Sequence, residues 1–402
     1  MEAAANYSRR NLSIDMLRAL TMTLMIFVND LVNVYGVPKW MMHAGVTEDF
    51  MGLSDIVFPS FLFAMGMSIP YAVGKRLSRG ESPIGVLGHI LMRTMSLLLM
   101  GVFIVNAESG LSSEMPIGSG VYWLLLLLGF ALVWNSYPAG GNERLHNILR
   151  LSGSVLLVYL ALIYRGPAGE VFSSQWWGIL GLIGWAYLIC AIVYLFCRDN
   201  LTLLFSVLGV FILICILVSP MRSGRAILDW PQPNFLDTML QTLHLRNGCL
   251  AAFALGGTIL SVASARSESV PCGKRLLVAT AVSAALLVLG IIAHKWWIVS
   301  KEQETLPWLM WVGAICVFTY SLLRLLEDRG RTRWFGLIRP AGTSTLTVYL
   351  IPYLLYTLRS FTSLTTPSWL TGIVGIGKCF LFALVCIWIA ELLSKIGIRI
   401  KL

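Results

Sequence analysis

The chain has 402 residues, 57% hydrophobic and only 12% charged, with a mean hydropathy of +0.77. Soluble domains carry about a quarter charged residues and about half apolar ones, so this composition excludes a water-soluble globule and implies an all-α, polytopic integral membrane protein. Thirty Lys and Arg against twenty Asp and Glu give a formal charge of +10. With no separate basic polar domain, that excess reads as cytoplasmic loops in a lipid bilayer rather than as a nucleic-acid surface, so no nucleic-acid partner is expected.

The first eleven residues are short, polar and basic (Arg9, Arg10) and lack a small-residue cleavage site, so the apolar run that follows is expected to be retained as a span. A bilayer core about 30 Å thick needs roughly twenty mostly apolar residues per helix. About twelve such runs occur, within a range of 10–12: near 12–35, 51–74, 86–107, 118–135, 147–164, 175–197, 200–219, 246–264, 276–297, 306–326, 341–359 and 371–394. The pair between 147 and 197 carries the weakest signal, because the run from Trp176 to Trp185 is rich in Gly and aromatics. With the N-terminus inside, about twenty basic residues fall on the inner side and about eight on the outer, which predicts that both termini are cytoplasmic. The outer face then carries a loop with His43, the acidic loop 106–118 and a longer segment, 219–244, that would partly cover an outward cavity. No internal repeat or soluble domain interrupts the chain, so 1–402 reads as one transmembrane domain. The eight Cys are scattered, without CxxC or a Cys/His ligand spacing, and read as small core residues; no metal is expected.

Ionisable groups inside a span cost at least about 2.5 kcal/mol on insertion scales, so each invites a functional reading. In the first run Asp15 and Arg18 stand three apart and can pair on one helical face; Asn29, eleven residues past Arg18, returns to nearly that face about 16 Å along the axis. A structural ion pair plus an interfacial amide explains the same residues. His43 sits in a short loop where its neutral form can accept a proton, and Asp55 opens the next helix, where it can cap the helix or orient the histidine. An ordinary interfacial histidine is the plain alternative. His89, His146 and His294 fall at helix ends or in an aromatic belt, whereas His244, with Arg246 and Asn247, marks a second candidate at the outer face. A cytoplasmic run with Arg324, Arg329, Arg331, Arg333 and Arg339 suits the phosphates of coenzyme A, although charge bias alone also accounts for it.

Four stretches carry a family resemblance: Ser13-Ile14-Asp15-Met16-Leu17-Arg18-Ala19-Leu20, then Phe27-Val28-Asn29, then His43-Ala44, then Leu53 through Gly66 with Ser54-Asp55 and Pro59-Ser60-Phe61. Together they resemble heparan-α-glucosaminide N-acetyltransferase, and its bacterial relatives most, within the transmembrane acyltransferase superfamily. The match is dense over the first 75 residues or so, inside motif-bearing helices 1–110, and thins to a late motif helix, 340–360. There Pro340-Ala341-Gly342-Thr343-Ser344 leads to Tyr349, with Ser344 where the family usually has Asn. The helix pair between 147 and 197 and the absence of a lumenal N-terminal domain are further departures. The related acyltransferase-3 family has a His eleven residues past its Asp-x-x-Arg arginine; Asn29 in that place favours the N-acetyltransferase branch.

The resemblance implies transfer of acetyl from cytoplasmic acetyl-CoA, the co-substrate, to the amino group of a glucosamine-type sugar on the far side. It maps the catalytic histidine onto His43 and a helix asparagine onto Asn29; Asp55 joins them as a catalytic candidate from its place beside the histidine loop. Asp15, Arg18, Arg331, Arg333, Arg339 and Ser344 are the expected cofactor-binding residues, and His244, Arg246 and Asn247 the expected sugar contacts. His43 as general base and His43 as transient acyl carrier remain two mechanisms. A multi-pass sugar or organic-ion transporter is the alternative of another class, weakened by the missing repeat. The expected location is a bacterial inner membrane, and the oligomeric state is left open, a homodimer included.

Overall fold

The computed structural model describes residues 11–138, 140–228, 241, 247–362 and 367–402. Among the described residues there are thirteen α-helices and, apart from one bridge between Asn135 and Ile400, no β-structure. In chain order they are α1 (Leu12–Leu31), α2 (Leu53–Ser78), α3 (Pro83–Glu108), α4 (Ser119–Trp134), α5 (Glu143–Ile163), α6 (Ile179–Cys197) and α7 (Leu201–Val218). They continue as α8 (Cys249–Arg266), α9 (Cys272–Ala293), α10 (Leu306–Asp328), α11 (Phe335–Thr343), α12 (Thr345–Ser360) and α13 (Gly372–Lys395). Ten are long and apolar enough to cross a bilayer, so the chain is a polytopic helical membrane protein.

Several helices begin where a polar side chain can take up a free N–H of the first turn. Asn11 accepts from Ile14, Ser82 from Gly85 with Pro83 in the first turn, Asn142 from Leu145 and Asn200 from Leu203. The uncertain pair between 147 and 197 forms full helices, α5 and α6. The expected single span at 341–359 does not form: the backbone leaves helical geometry at Ser344 (φ −129°, ψ 42°), which separates the nine-residue α11 from α12.

Hydropathy alone does not say which helices are central, but packing does. In α1 and α2, 72% of the most apolar window is buried within the protein, against 17% in α5 and α7. The latter therefore present their apolar sides to lipid. α1 packs on α2, α10, α11, α12 and α13, and α2 crosses α8 closely. At that crossing a Cβ on Gly66 would stand 1.8 Å from the Ala254 carbonyl and one on Gly257 2.0 Å from the Phe63 carbonyl, so only glycine lets the backbones meet. Thr258 Oγ1 donates to the Gly66 carbonyl at 2.9 Å across the same contact. Six cysteines are buried, as core residues should be, with Cys197 half-buried and Cys272 exposed.

Candidate active site

The loop between α1 and α2 brings His43 onto Asp55 in the first turn of α2. His43 Nδ1 lies 2.7 Å from Asp55 Oδ1, while Asp55 Oδ2 accepts backbone N–H groups from Ala44 and Gly52, both at 3.0 Å. The Asp55 carboxyl is buried, at 1% side-chain exposure, whereas the imidazole is 37% exposed. One carboxylate thus orients the ring and pins both sides of the loop. It favours the tautomer with the proton on Nδ1 and leaves Nε2 as the basic nitrogen. Neighbouring groups fix the dyad: Trp308 Nε1 donates to the Asp55 carbonyl at 3.0 Å and Ser54 Oγ to the Met41 carbonyl at 2.6 Å.

Farther along the loop a second set of bonds ties it to the connections after α7 and α9. Asp49 meets His294 Nε2 at 2.8 Å and Arg222 Nη2 at 2.5 Å, and accepts the Val299 N–H at 2.8 Å. Burial raises the Asp49 carboxyl, but the Val299 N–H and the bonds from His294 and Arg222 outweigh it and hold the group below its ordinary value. Gln303 Nε2 donates to the Val46 carbonyl at 2.9 Å, and half-buried Asn247 donates to the Gln303 carbonyl at 3.4 Å. His244 and Arg246 lie outside the described residues.

Of the predicted stripe on α1, Arg18 faces a cavity, while Asp15 and Asn29 are not among its lining residues. Arg18, Met22 and Met25 line a space of about 280 Å³ together with Phe61, Leu180, Arg93, Tyr349 and Lys401. Asn29, four residues past Met25 and exposed, lies on nearly the same helix face about 6 Å farther along α1. Buried Asp15 pairs with Arg18, whose Nη1 also lies 3.5 Å from Ser68 Oγ. The break between α11 and α12 lies on this cavity: Gly342 through Leu346, Ser344 among them, form part of its wall. Irregular backbone at membrane depth is tolerated in such a place, because a cavity can satisfy the freed polar groups. A Cβ on Gly342 would come within 2.3 Å of the Asp15 carbonyl, so glycine is what allows α11 to lie against α1.

On the basic side the cavity adjoins a vestibule of about 430 Å³, with Arg93, Tyr187 and Leu402 lining both. Lys75, Arg76, Arg79, His89 and Arg93 make the vestibule strongly cationic. Arg76 is paired with Glu81 at 3.1 Å, whereas the Arg93 guanidinium lies over the Tyr187 ring at 4.7 Å and its Nε is buried without an acceptor among the described residues. Arg331, Arg333 and Arg339, expected near a cofactor, are exposed and line neither space. The one sequence signal for Arg93 is its solitary charge within an apolar run.

Two further polar sets were not foreseen. Asp30, next to Asn29 and buried, pairs with Lys378 at 2.6 Å and accepts from Tyr356 at 2.8 Å, anchoring the C-terminal end of α1 to α12 and α13. Tyr349, in the cavity wall, lies 3.1 Å from the Tyr353 hydroxyl, which donates to Glu108 at 2.8 Å. Among the described residues no group of three or more His, Cys, Asp or Glu could hold a metal.

The family profile of DUF5009, a domain of unknown function, matches residues 10–236, more than half of the chain, and so covers the dyad, the α1 face and the vestibule helices. The chain belongs to the DUF5009 family. This family member is also similar to two curated proteins. It is 35% identical over 105 residues to heparan-α-glucosaminide N-acetyltransferase of Mus musculus, covering 26% of this chain and 15% of that protein. To the Homo sapiens protein of the same name it is 36% identical over 94 residues, covering 23% of this chain and 13% of that one. The chain thus spans under a fifth of the length of the curated relatives it matches, and the relationship is distant.

Proposed function

We propose that this DUF5009 protein is a transmembrane N-acetyltransferase, which carries acetyl from cytoplasmic acetyl-CoA to the amino group of a glucosamine-type sugar on the opposite face. Its expected place is a bacterial inner membrane. The observation that carries this reading is the run of two adjoining spaces, from a cationic vestibule into a cavity lined by Arg18, Met22 and Met25 of α1. The partial similarity to two N-acetyltransferases supports the reaction class.

The residues present suit a coenzyme A thioester. Lys75, Arg79 and Arg93 would hold its phosphates, with Arg93 offering a buried N–H that lacks an acceptor among the described residues. Met22, Met25, Phe61 and Leu180 give the smaller space an apolar wall between the cations Arg18, Arg93 and Lys401, fitting a thin amide-bearing arm. When bound, the thioester supplies an activated acetyl group. His43 Nε2 takes a proton from the attacking amine as the C–N bond forms and the C–S bond breaks, and the leaving thiolate receives that proton. Asp55 holds the imidazole in the tautomer this requires and stabilises the imidazolium. Asn29 donates a hydrogen bond to the developing oxyanion.

Sealed proteoliposomes with acetyl-CoA on the vestibule side and glucosamine on the other test the proposal. Acetylated sugar is expected on the glucosamine side, and is lost with His43→Ala while acetyl-CoA binding persists. Unmodified sugar accumulating across the membrane, or product forming only when both reactants share a side, would overturn it.

A further inference from the structure

Away from the α1 cavity, a larger space of about 510 Å³ lies between α9 and the pair α7 and α8, with α10 as its floor. α9 packs along α10 and not closely against α7 or α8, so one side of α9 is left facing this gap. The walls are almost wholly apolar, as with Ile212, Ile259, Ala279 and Gly313. Phe205, Val278 and Val282 line the gap and are also exposed on the outer surface of the helix bundle, so it opens sideways to the bilayer. Its volume falls within the range of about 300–1,000 Å³ typical of cavities that enclose a small ligand. An apolar slot open to hydrocarbon is filled by hydrocarbon, since water there would leave that surface unburied.

One end of the slot is not apolar. At the cytoplasmic start of α9 and end of α10 it is lined by Lys274, Arg275 and Arg324, against a single carboxylate, Asp328. Arg324 is engaged with Glu327 and Asp328. Arg275 gives Nη2 to Asp328 at 2.6 Å, but its Nε and Nη1 are buried and have no acceptor among the described residues. The neighbouring Lys274 is exposed. A buried guanidinium edge without an acceptor is costly, and a phosphate oxygen satisfies it best. Basic pockets between helices at the cytoplasmic level are suited to anionic lipid headgroups.

We infer that this slot binds an anionic glycerophospholipid of the cytoplasmic leaflet, with its phosphate on Arg275 and Lys274 and an acyl chain between α9 and α7/α8. The inference is independent of the acetyl-transfer reading, because none of the slot's residues lies in the α1 cavity or the vestibule.

Native mass spectrometry of the detergent-solubilised full chain, offered equal amounts of phosphatidylglycerol and phosphatidylcholine with matched chains, tests it. At least one phosphatidylglycerol is expected to be retained several-fold over phosphatidylcholine. Lys274→Gln with Arg275→Gln is expected to abolish that preference. Ala279→Trp, which fills the slot without touching the cations, is expected to remove one bound lipid. Equal retention of the two lipids by the unmodified chain overturns the inference, as does an unchanged preference in the double variant or an unchanged lipid count in Ala279→Trp.

Discussion

Asp55→Asn separates the two tasks of the carboxylate that orients His43. The amide is isosteric but has one acceptor oxygen where the carboxylate has two. If the oxygen stays toward the loop, it keeps the N–H groups of Ala44 and Gly52 and turns its NH2 to His43 Nδ1. In the flipped orientation the NH2 faces those two buried donors, and each unsatisfied donor costs about 1–3 kcal/mol. The first orientation is therefore favoured by roughly 2–6 kcal/mol, summing over both donors. It makes Nδ1 an acceptor, moves the imidazole proton to Nε2 and removes the base, since a nitrogen that carries the proton cannot accept another. Loss of general-base catalysis should lower kcat by about 10²–10⁴-fold with the loop still in place. The assay is acetyl transfer from labelled acetyl-CoA to glucosamine, with acetyl-CoA binding measured in parallel. A variant that binds acetyl-CoA normally and turns over within threefold of the parent refutes the reasoning.

Other substitutions probe separate parts of the structure. Arg93→Gln removes the cation shared by the vestibule and the cavity; a lost charge-assisted contact of about 1.5–3 kcal/mol predicts acetyl-CoA binding weaker by roughly 10- to 150-fold in calorimetry, and an unchanged Kd contradicts a phosphate role. Gly342→Leu forces a side chain onto the Asp15 carbonyl, 2.3 Å from where its Cβ would lie; overpacking of this kind costs about 1–3 kcal/mol or more and should lower Tm, with an unaltered melt counting against the close α1–α11 contact. Glu304, in the loop before α10, has its carboxyl pushed up to about 7 by burial and by repulsion from Glu302. Its contribution to stability is fully present below the ordinary carboxylate pKa and is lost as pH rises through about 7. Glu304→Gln should therefore raise Tm relative to the parent at pH 8 and leave it little changed at pH 4, and an equal shift at both pH values disproves the assignment.

Much of the α1 face was legible because helical periodicity is local: Arg18 and Asn29 share a side by spacing, and Asp15 reaches Arg18 across one turn. The helical membrane class and most crossings were equally plain, since a bilayer demands length and apolarity that any window of sequence displays. His43 and Asp55 are close enough in sequence to be suspected as partners, yet their contact at 2.7 Å depends on how the intervening loop folds. Ser344 looked like part of one span; the bend there answers to the cavity and to the approach of α11 to α1, which spacing does not encode.

The cationic groups show the division most clearly. Composition and alternation of loops placed basic residues on one face, and the Arg331–Arg339 run satisfies that rule, whereas Arg93 lies within a span. Their different surroundings depend on distant partners: Arg93 meets Tyr187 from α6 and lines a space shared with Leu402, while Arg331, Arg333 and Arg339 remain on the surface. Asp30 likewise finds Lys378 across 348 positions. Burial in a helix bundle is a property of the space between helices, so a charge that any span would disfavour becomes a site only where several helices leave room around it.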